Sequence, residues 1–521
     1  MTALERPQRW WLATLPYIAL TLSQWDYVPM WDARLYANCL VRQAQAAFDP
    51  HDYVCWTHPL LVWGPLVSAP GRLWPNAYLP FLLVSIGLGV LGLRAFHRLA
   101  SRLPGIAPSI AWLLTLCLGV WPTVVSGTVD VNPDFGVLAF FLCMLDALAS
   151  GELPKAALFG VLATFCKETG ALLTAGLAAG TLAAEALSMT PKPRLTWAQV
   201  RARLPLLTGP VLLVIWLVFF HQRMGFEGFL ARKSQAQLFA ELVSLNPLDE
   251  THLAQLLMLF VFNFAWVFTV IAGARWVRLL ARRLRGEPTS VSPIEVFVDL
   301  VVLTVVLCST RYRTQPLARY FVTFAPALLL SAALSLKTLS SRTQRVAWLA
   351  LGALLLCASV RSFDPVTRAL WGTFAFGEHE LYAVDSIPGT EHFGYGVAGL
   401  AYNLQHTELS RLQDLAYADL RPSGVRRLAA HEVADTPVIG NLDAVTHQRT
   451  LDPTQPRWQT LDPYRVCVEG ERPERLLFVR FPNFPDIGWR ERLLERWYAP
   501  VQVHRYEHHG YALEVLELVR K

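Results

Sequence analysis

Acidic and basic side chains that could carry chemistry recur at the edges of long uncharged stretches in this 521-residue sequence. Ionisable groups are costly beside or within an apolar stretch, so their presence there suggests a function. A set that mixes carboxylates with cations suits a substrate that needs both a proton acceptor and contacts to an anion, such as a phosphate-bearing donor. The candidates are Asp26, Asp32, Arg34, Asp49, Asp52, His58, Asp130, Asp134, Lys167, Glu168, Arg223, Arg232, Lys233, Arg311, Arg313 and Arg319.

The stretches between these residues indicate an integral membrane protein. Hydrophobic residues make up 53% of the chain and charged residues only 17%, whereas a soluble chain carries roughly 25% charged residues. This composition excludes a disordered chain, a coiled coil and an ordinary cytosolic enzyme. A membrane helix needs about 20 mainly apolar residues. We predict eleven spans, near residues 10–25, 76–93, 107–123, 134–149, 155–166, 170–187, 205–221, 253–274, 293–309, 320–336 and 345–360.

The charges of the loops favour a cytoplasmic N-terminus. Eighteen of the 28 Lys and Arg residues before position 361 fall in the alternate loops that would then face the cytoplasm, as the positive-inside rule requires. The first apolar run follows Arg6 and Arg9 but lacks a small-residue cleavage site, so we predict an uncleaved first span. With this orientation, the candidate acidic and basic residues all lie on the external side of the membrane.

The chain divides into two predicted domains. Residues 1–360 form an all-α polytopic membrane domain, and residues 361–521 form a small external α/β domain. Within the first, residues 26–75 make a long external loop whose apolar piece, Pro59–Pro70, is short for a span and predicts a helix on the bilayer surface. Trp63 in this piece is typical of an interfacial aromatic belt. The tail has helix-like stretches at 408–420 and 489–497 and strand-like stretches at 476–481 and 511–518.

Four motifs occur in order at the external edges of the predicted spans. They are WDARLY at 31–36 with HPLL at 58–61, VNPD at 131–134, FCKET at 165–169, and ARYF at 318–321 leading to APA at 325–327. Together they resemble the loops of the polyprenyl-phosphate-sugar-dependent glycosyltransferases, multi-span GT-C enzymes that include the protein O-mannosyltransferases and the lipid A aminoarabinose transferase. The resemblance covers about residues 1–336. These enzymes usually carry an Asp-Glu pair in the first loop, where this chain has a single acid, Asp32.

The resemblance implies a GT-C-type glycosyltransferase in the bacterial inner membrane, with the C-terminal domain in the periplasm. The donor would be a hexose or pentose linked to polyprenyl phosphate, and the acceptor would be a lipid, a glycan or a protein. Transfer would be a direct displacement that inverts the anomeric carbon, with Asp32 as the general base and cations stabilising the leaving phosphate. The implied substrate-binding residues are Arg34, His58, Asp130, Asp134, Lys167, Glu168, Arg319 and Tyr320.

Several alternatives remain open at the level of sequence. Asp26 could replace Asp32 as the base, and Lys167 and Glu168 could form only a local ion pair. The eight cysteines show no metal-ligand spacing, so no metal site or cofactor is predicted, although a divalent metal and a Cys39–Cys55 disulfide stay compatible with the sequence. A transporter or flippase of a lipid-linked substrate is the second function, but the sequence shows no inverted repeat. A membrane scaffold is the third, and it leaves the one-sided charges unexplained.

Overall fold

The structure is a computed structural model, and it describes part of the chain. The first loop and the tail are described only in pieces. Continuous description covers residues 10–25, 61–73, 78–188, 196–216, 265–286, 291–311, 322–361, 472–480, 494–508 and 510–521. Shorter pieces are positions 36, 40, 43–44, 54–55, 58–59, 218, 253, 256–257, 260–261, 373–376, 379–382, 412, 415–416, 438–440 and 470.

Helices dominate the described part of the first 361 residues, and prolines mark many of their starts. Proline is favoured in the first helical turn because the N–H that it lacks would have no partner there. Pro108, Pro122, Pro133 and Pro293 each open a helix. The helices are α1 (Leu15–Leu22), α2 (Trp63–Ser68), α3 (Leu79–Ser101), α4 (Pro108–Gly119), α5 (Pro122–Val129), α6 (Pro133–Ala149), α7 (Leu153–Cys166), α8 (Thr169–Ser188), α9 (Trp197–Arg203), α10 (Thr208–Trp216), α11 (Ala265–Leu284), α12 (Pro293–Arg311), α13 (Phe324–Leu336) and α14 (Ser341–Arg361). Short 3-10 helices are Trp10–Thr14, Ala69–Arg72 and Leu204–Leu207.

The predicted count of eleven spans is not established by the described residues. Two of their helices, α3 and α14, are long and apolar enough to cross a membrane. Helices α4 and α5 would add a third span if the two count as one, with a bend of 52° between them. Four other apolar helical stretches of the described part are shorter, at 10–17 residues: Trp10–Leu22, Leu153–Cys166, Thr169–Leu182 and Phe324–Leu336. Eleven spans therefore remain a prediction.

The predicted end of the span at 76–93 was wrong. Residues 79–93 of this stretch lie in α3, which continues to Ser101. Arg94 and Arg98 lie in the continuation, and arginine is a good helix former. A charge that ends an apolar run therefore does not end the helix that contains it.

Two other predicted boundaries were wrong as well. The predicted span 107–123 is broken after Gly119, because Pro122 starts the separate helix α5. Helix α11 continues to Leu284, well past the predicted end of its span at residue 274. The added part of α11 is rich in arginine, so hydropathy gave no sign of it.

Helix α6 forms the centre of the bundle. Its sequence is apolar on all sides, and every residue from Pro133 to Ala147 is buried, as expected for a helix without a solvent-facing stripe. It packs against α3 and α7. Gly92 of α3 permits a close approach, since a Cβ atom there would lie 3.2 Å from the Ala139 Cα atom of α6.

Charged residues join the helices at the end of the bundle where α6 finishes. Asp146, near the end of α6, binds Arg98 and Arg102 at the end of α3. Lys337, which follows α13, is close to Gly105 in the turn after α3, so α13 also ends on this side. We call this side the opposite end of the bundle, because the candidate site described below lies at the other end, where α6 begins.

A second group of ion pairs lies at the opposite end. Arg275 of α11 pairs with Glu295 and Asp299 of α12. Lys337 pairs with Glu295 too, and this contact brings the start of α12 to the end of α13. The Arg275 and Glu295 side chains are both buried, so each charge depends on its partners.

The tail contains a four-stranded sheet, formed by β5 (Val438–Gly440), β6 (Arg475–Arg480), β7 (Tyr498–His508) and β8 (Tyr511–Arg520). Its strands β6 and β8 confirm the strands predicted at 476–481 and 511–518, whereas β7 was missed. The helices predicted at 408–420 and 489–497 fall largely outside the described residues, and the division into two domains stays a prediction. The order is β5-β6-β8-β7, with β5 parallel to β6 and the other neighbours antiparallel. The four earlier strands form two hairpin pairs, β1 (Val54–Cys55) with β2 (His58–Pro59) and β3 (Thr373–Phe376) with β4 (His379–Tyr382).

Candidate functional site

A buried ion pair joins two of the sequence candidates. The Nζ atom of Lys167 lies 2.8 Å from the Oδ2 atom of Asp134, and the side chains are only 2% and 8% exposed. Burying a lysine or an aspartate alone is expensive, and such groups are retained when each compensates the charge of the other. The two residues are 33 positions apart in sequence. A purely local Lys167–Glu168 pair therefore does not account for the position of Lys167.

The helix connections explain why these two residues meet. A short turn links α6 to α7, and the two helices pack together, so the start of α6 lies near the end of α7. Lys167 caps the end of α7 in an extended conformation, with φ −161° and ψ 150°. The chain then reverses, and α8 starts at Thr169. Lys167 is thus held between two helices, and its side chain reaches the first turn of α6.

The first turn of α6 stabilises a carboxylate at position 134. Asn132 is its N-cap, and the Asn132 side-chain oxygen accepts a hydrogen bond of 3.0 Å from the Asp134 backbone N–H. Asp134 sits where the positive end of the helix dipole favours a carboxylate. The dipole alone could explain an acid at this position, but the buried contact with Lys167 adds a second role for it.

The turn between α5 and α6 carries Asp130 and an unusual valine. Val131 has a φ of 49°, in the left-handed region that favours glycine, and its side chain is fully buried. A branched residue in this conformation costs on the order of 1–3 kcal/mol, and such strain persists only where the surroundings enforce it. Asp130 is half-buried and follows the last residue of α5. It therefore belongs to the turn that leads to Asp134.

The segment between α1 and α3 reaches the site through α2. The Val62 N–H donates a hydrogen bond of 3.0 Å to the carbonyl of Phe165, two residues before Lys167. Trp63 is fully buried, and its ring lies against Gly136 in the first turn of α6. The helix predicted within Pro59–Pro70 is present, but assigning Trp63 to an interfacial belt was wrong. Its ring fills a space in the protein core that the missing side chain of Gly136 leaves open.

Replacing Gly136 with alanine is expected to destabilise the protein by about 1–3 kcal/mol, the usual cost of overpacking a core. A Cβ atom at this position would lie 2.6 Å from Trp63 Cε3 and 3.0 Å from Cys166 Sγ, and both neighbours are fully buried. Thermal unfolding in detergent measures the change. Gly87→Ala is the matched control, because Gly87 lies within α3 and a Cβ atom there meets nothing within 4 Å. Equal stabilities of the two variants would contradict the packing of Trp63.

The end of α12 lies on the same side of the bundle as the ion pair. Helix α8 runs antiparallel to α12, since Gly180 approaches Leu300 and Gly176 approaches Cys308. The start of α8, directly after Lys167, is therefore near the end of α12.

Helix α13 begins on the side of the ion pair as well. Lys337, just beyond its last residue, pairs with Glu295 at the start of α12, so α12 and α13 run in opposite directions. The connection between these two helices thus starts and finishes at the end of the bundle that holds Asp134 and Lys167. In sequence, this connection includes Arg319.

The other sequence candidates are placed only in part. Glu168 follows Lys167 directly in the turn before α8 and is half-buried. His58 belongs to β2, which pairs with β1, and Arg311 is the last residue of α12, but neither side chain is described. No three His, Cys, Asp or Glu side chains of the described residues lie close enough together to hold a metal ion. Lying outside the described residues are Asp26, Asp32, Arg34, Cys39, Asp49, Asp52, Arg223, Arg232, Lys233, Arg313, Arg319 and Tyr320.

Comparison with solved structures identifies the fold. The crystal structure of ArnT from Cupriavidus metallidurans in the apo state superposes with a TM-score of 0.53 at 15% sequence identity, covering 97% of each chain. The chain has the fold of ArnT. The structure of ArnT bound to undecaprenyl phosphate gives a TM-score of 0.51 at 14% identity, over 97% of this chain and 98% of ArnT. The mainly helical architecture with a small C-terminal sheet that the sequence predicts is thereby confirmed.

Other comparisons are weaker. The archaeal oligosaccharyltransferase AglB from Archaeoglobus fulgidus, in complex with an inhibitory peptide and a dolichol-phosphate, gives a TM-score of 0.47 at 13% identity. That alignment covers 96% of this chain and 73% of AglB. No family model matches the sequence, and no curated protein is significantly similar to it. The likeness to ArnT is therefore one of architecture across the whole chain.

Proposed function

We propose that this protein is an integral-membrane glycosyltransferase that moves a sugar from a polyprenyl-phosphate-linked donor to a lipid, glycan or protein acceptor. The observation that carries the proposal is the buried Asp134–Lys167 pair within an ArnT-like fold. The pair lies where α2 of the first loop, the turn before α6 and the turn before α8 come together. ArnT, with which this chain shares its fold, binds undecaprenyl phosphate.

The donor phosphate is the group that this site is suited to hold. A lipid-linked phosphate must stay at membrane-surface depth because its tail remains in the bilayer. The Lys167 ammonium group supplies a positive charge between the end of α7 and the start of α8. The Asp134 carboxylate, only 2.8 Å away, compensates that charge while no phosphate is bound. Arg319 and Tyr320, from the connection between α12 and α13, would supply further contacts. The proposed binding set is completed by Arg34, His58, Asp130 and Glu168.

Transfer would proceed by direct displacement. An acceptor hydroxyl oxygen attacks the anomeric carbon while the bond from that carbon to the phosphate oxygen breaks. The hydroxyl proton passes to the Asp32 carboxylate, and the polyprenyl phosphate leaves with the bonding electron pair. Cations near the phosphate stabilise the charge that grows during this step. Attack from the side opposite the leaving group inverts the anomeric carbon.

Location follows from the same proposal. The protein would lie in the bacterial inner membrane, with its N-terminus in the cytoplasm and the site and C-terminal domain on the periplasmic face. The arrangement of charges supports this orientation, because the opposite end, away from Asp134, holds Arg98, Arg102, Arg275 and Lys337. No metal ion or cofactor is required by the steps proposed above.

Undecaprenyl phosphate is expected to bind the purified protein and raise its unfolding temperature, whereas undecaprenol, which lacks the phosphate, should not. Native mass spectrometry and thermal unfolding with both lipids measure this difference. Mass spectrometry of membrane glycolipids, glycans and glycoproteins, with and without the intact gene, then identifies the transferred sugar and the acceptor. Equal binding of the two lipids, together with unchanged glycans, would contradict the proposed function.

A further inference from the structure

The turn between α5 and α6 closes by two backbone hydrogen bonds. The Asn132 N–H donates to the Gly127 carbonyl over 3.1 Å, and the Val131 N–H donates to the Thr128 carbonyl over 3.2 Å. This is the Schellman pattern, in which the residue in the left-handed conformation is usually glycine. Here the residue is Val131, with φ 49°. A β-branched residue thus occupies a position that disfavours it.

The side chain of Val131 stabilises the turn by packing in the core. It is completely buried within the hydrophobic core of the bundle, where a glycine would have nothing to pack. The end of α5, just before the turn, is also fixed in place, because the Tyr78 hydroxyl donates a hydrogen bond to the Val129 carbonyl. On the C-terminal side, Asn132 caps α6 and binds the Asp134 N–H. The turn is therefore fixed on both sides as well as from within the core.

We propose that Val131 is a positioning residue that fixes the first turn of α6, so that Asp134 stays in contact with Lys167. The buried side chain acts as an anchor that keeps the turn in its strained conformation. Without the anchor, the turn relaxes and the carboxylate of Asp134 moves away from the Nζ atom of Lys167. This effect on the ion pair does not depend on the proposed function, whereas any effect on sugar transfer does.

Chemical labelling of Lys167 tests the proposal directly. Reductive methylation of the detergent-solubilised full chain, followed by peptide mass spectrometry, measures how readily each lysine reacts. Lys167 of the wild type should react slowly, since its side chain is 2% exposed and paired. Val131→Ala removes the anchor, so Lys167 should react at least about fivefold faster through local opening. Val131→Ile retains a branched anchor and should restore slow labelling.

Two control variants separate positioning from general destabilisation. Val298→Ala makes the same truncation at a buried position in α12, near Glu295 at the opposite end of the bundle. Gly151→Val places a valine at φ 75° in the turn between α6 and α7, also at the opposite end. Both should lower the unfolding temperature while leaving the labelling of Lys167 at the wild-type rate.

The outcomes discriminate between three conclusions. Fast labelling of Lys167 in Val131→Ala, with slow labelling in both controls, supports the positioning role. Slow labelling in Val131→Ala at a temperature where the variant is folded overturns it, and so does equally fast labelling in either control. If labelling behaves as expected but the wild type neither binds undecaprenyl phosphate nor transfers sugar, the proposed function fails while the role of Val131 stands.

Discussion

Replacing Lys167 with methionine is expected to abolish sugar transfer and to destabilise the protein. The change leaves the Asp134 carboxylate buried without its cation, and breaking a buried pair in this way costs about 3–5 kcal/mol. Asp134→Asn should have a similar effect, because it removes the carboxylate that compensates the buried ammonium group. Thermal unfolding and a transfer assay with a polyprenyl-phosphate sugar measure the two losses separately.

The double variant distinguishes chemistry from stability. Asp134→Asn together with Lys167→Met removes both charges, so most of the lost stability should return, while transfer should stay absent because no cation from this pair faces the donor phosphate. Lys155→Met is the matched control. It breaks the exposed Lys155–Glu152 pair, whose side chains are 66% and 43% exposed, and should change neither stability nor transfer appreciably. If the folded double variant transferred sugar at nearly the wild-type rate, the Asp134–Lys167 pair would have only a structural role.

Asp32→Asn is expected to reduce transfer by about 10²–10⁴-fold while leaving the protein folded and inserted in the membrane. The amide keeps the shape of the side chain but cannot accept the proton of the acceptor hydroxyl. The unfolding temperature should therefore change little, and undecaprenyl phosphate should still bind. The measurement is the turnover rate with saturating donor and acceptor.

Asp26→Asn is the control for this experiment, since Asp26 is the other candidate base in the same loop. It should retain most of the wild-type rate. The reverse result, a large loss for Asp26→Asn and a small one for Asp32→Asn, would assign the base to Asp26. Large losses in both, with weaker binding of undecaprenyl phosphate, would mean that the loop acids hold the donor.

The sequence predicted which residues lie at the candidate site but not which of them contact each other. Asp134 and Lys167 interrupt apolar stretches, so hydropathy alone places both at helix ends, and helices α6 and α7 start within two residues of the predicted positions. The direct contact between the two side chains depends on the packing of α6 against α7, which periodicity does not encode. Both residues were therefore predicted to bind the donor, but their pairing was not foreseen.

Other features had weak or misleading signals. Trp63 was assigned to the membrane interface because tryptophan is common there, whereas its burial depends on Gly136, a residue far along the chain that has no distinctive local pattern. Nothing in the sequence marks Val131 as a left-handed residue, since glycine or asparagine is the usual signal. Strand β7 contains Pro500, two charged residues and two histidines, so it lacks the apolar alternation that revealed β6 and β8.

The ion pairs at the opposite end bear on how the chain enters the membrane during synthesis. Helix α12 carries Glu295 in its first turn and Asp299 one turn later, and carboxylates within an apolar helix raise the cost of its insertion into the membrane. Arg275 of α11 binds both acids, and the Trp276 indole N–H donates to Asp299 over 3.0 Å. We expect α11 and α12 to leave the translocon as a hairpin whose charges are already matched, with Lys337 joining Glu295 only after α13 has been made.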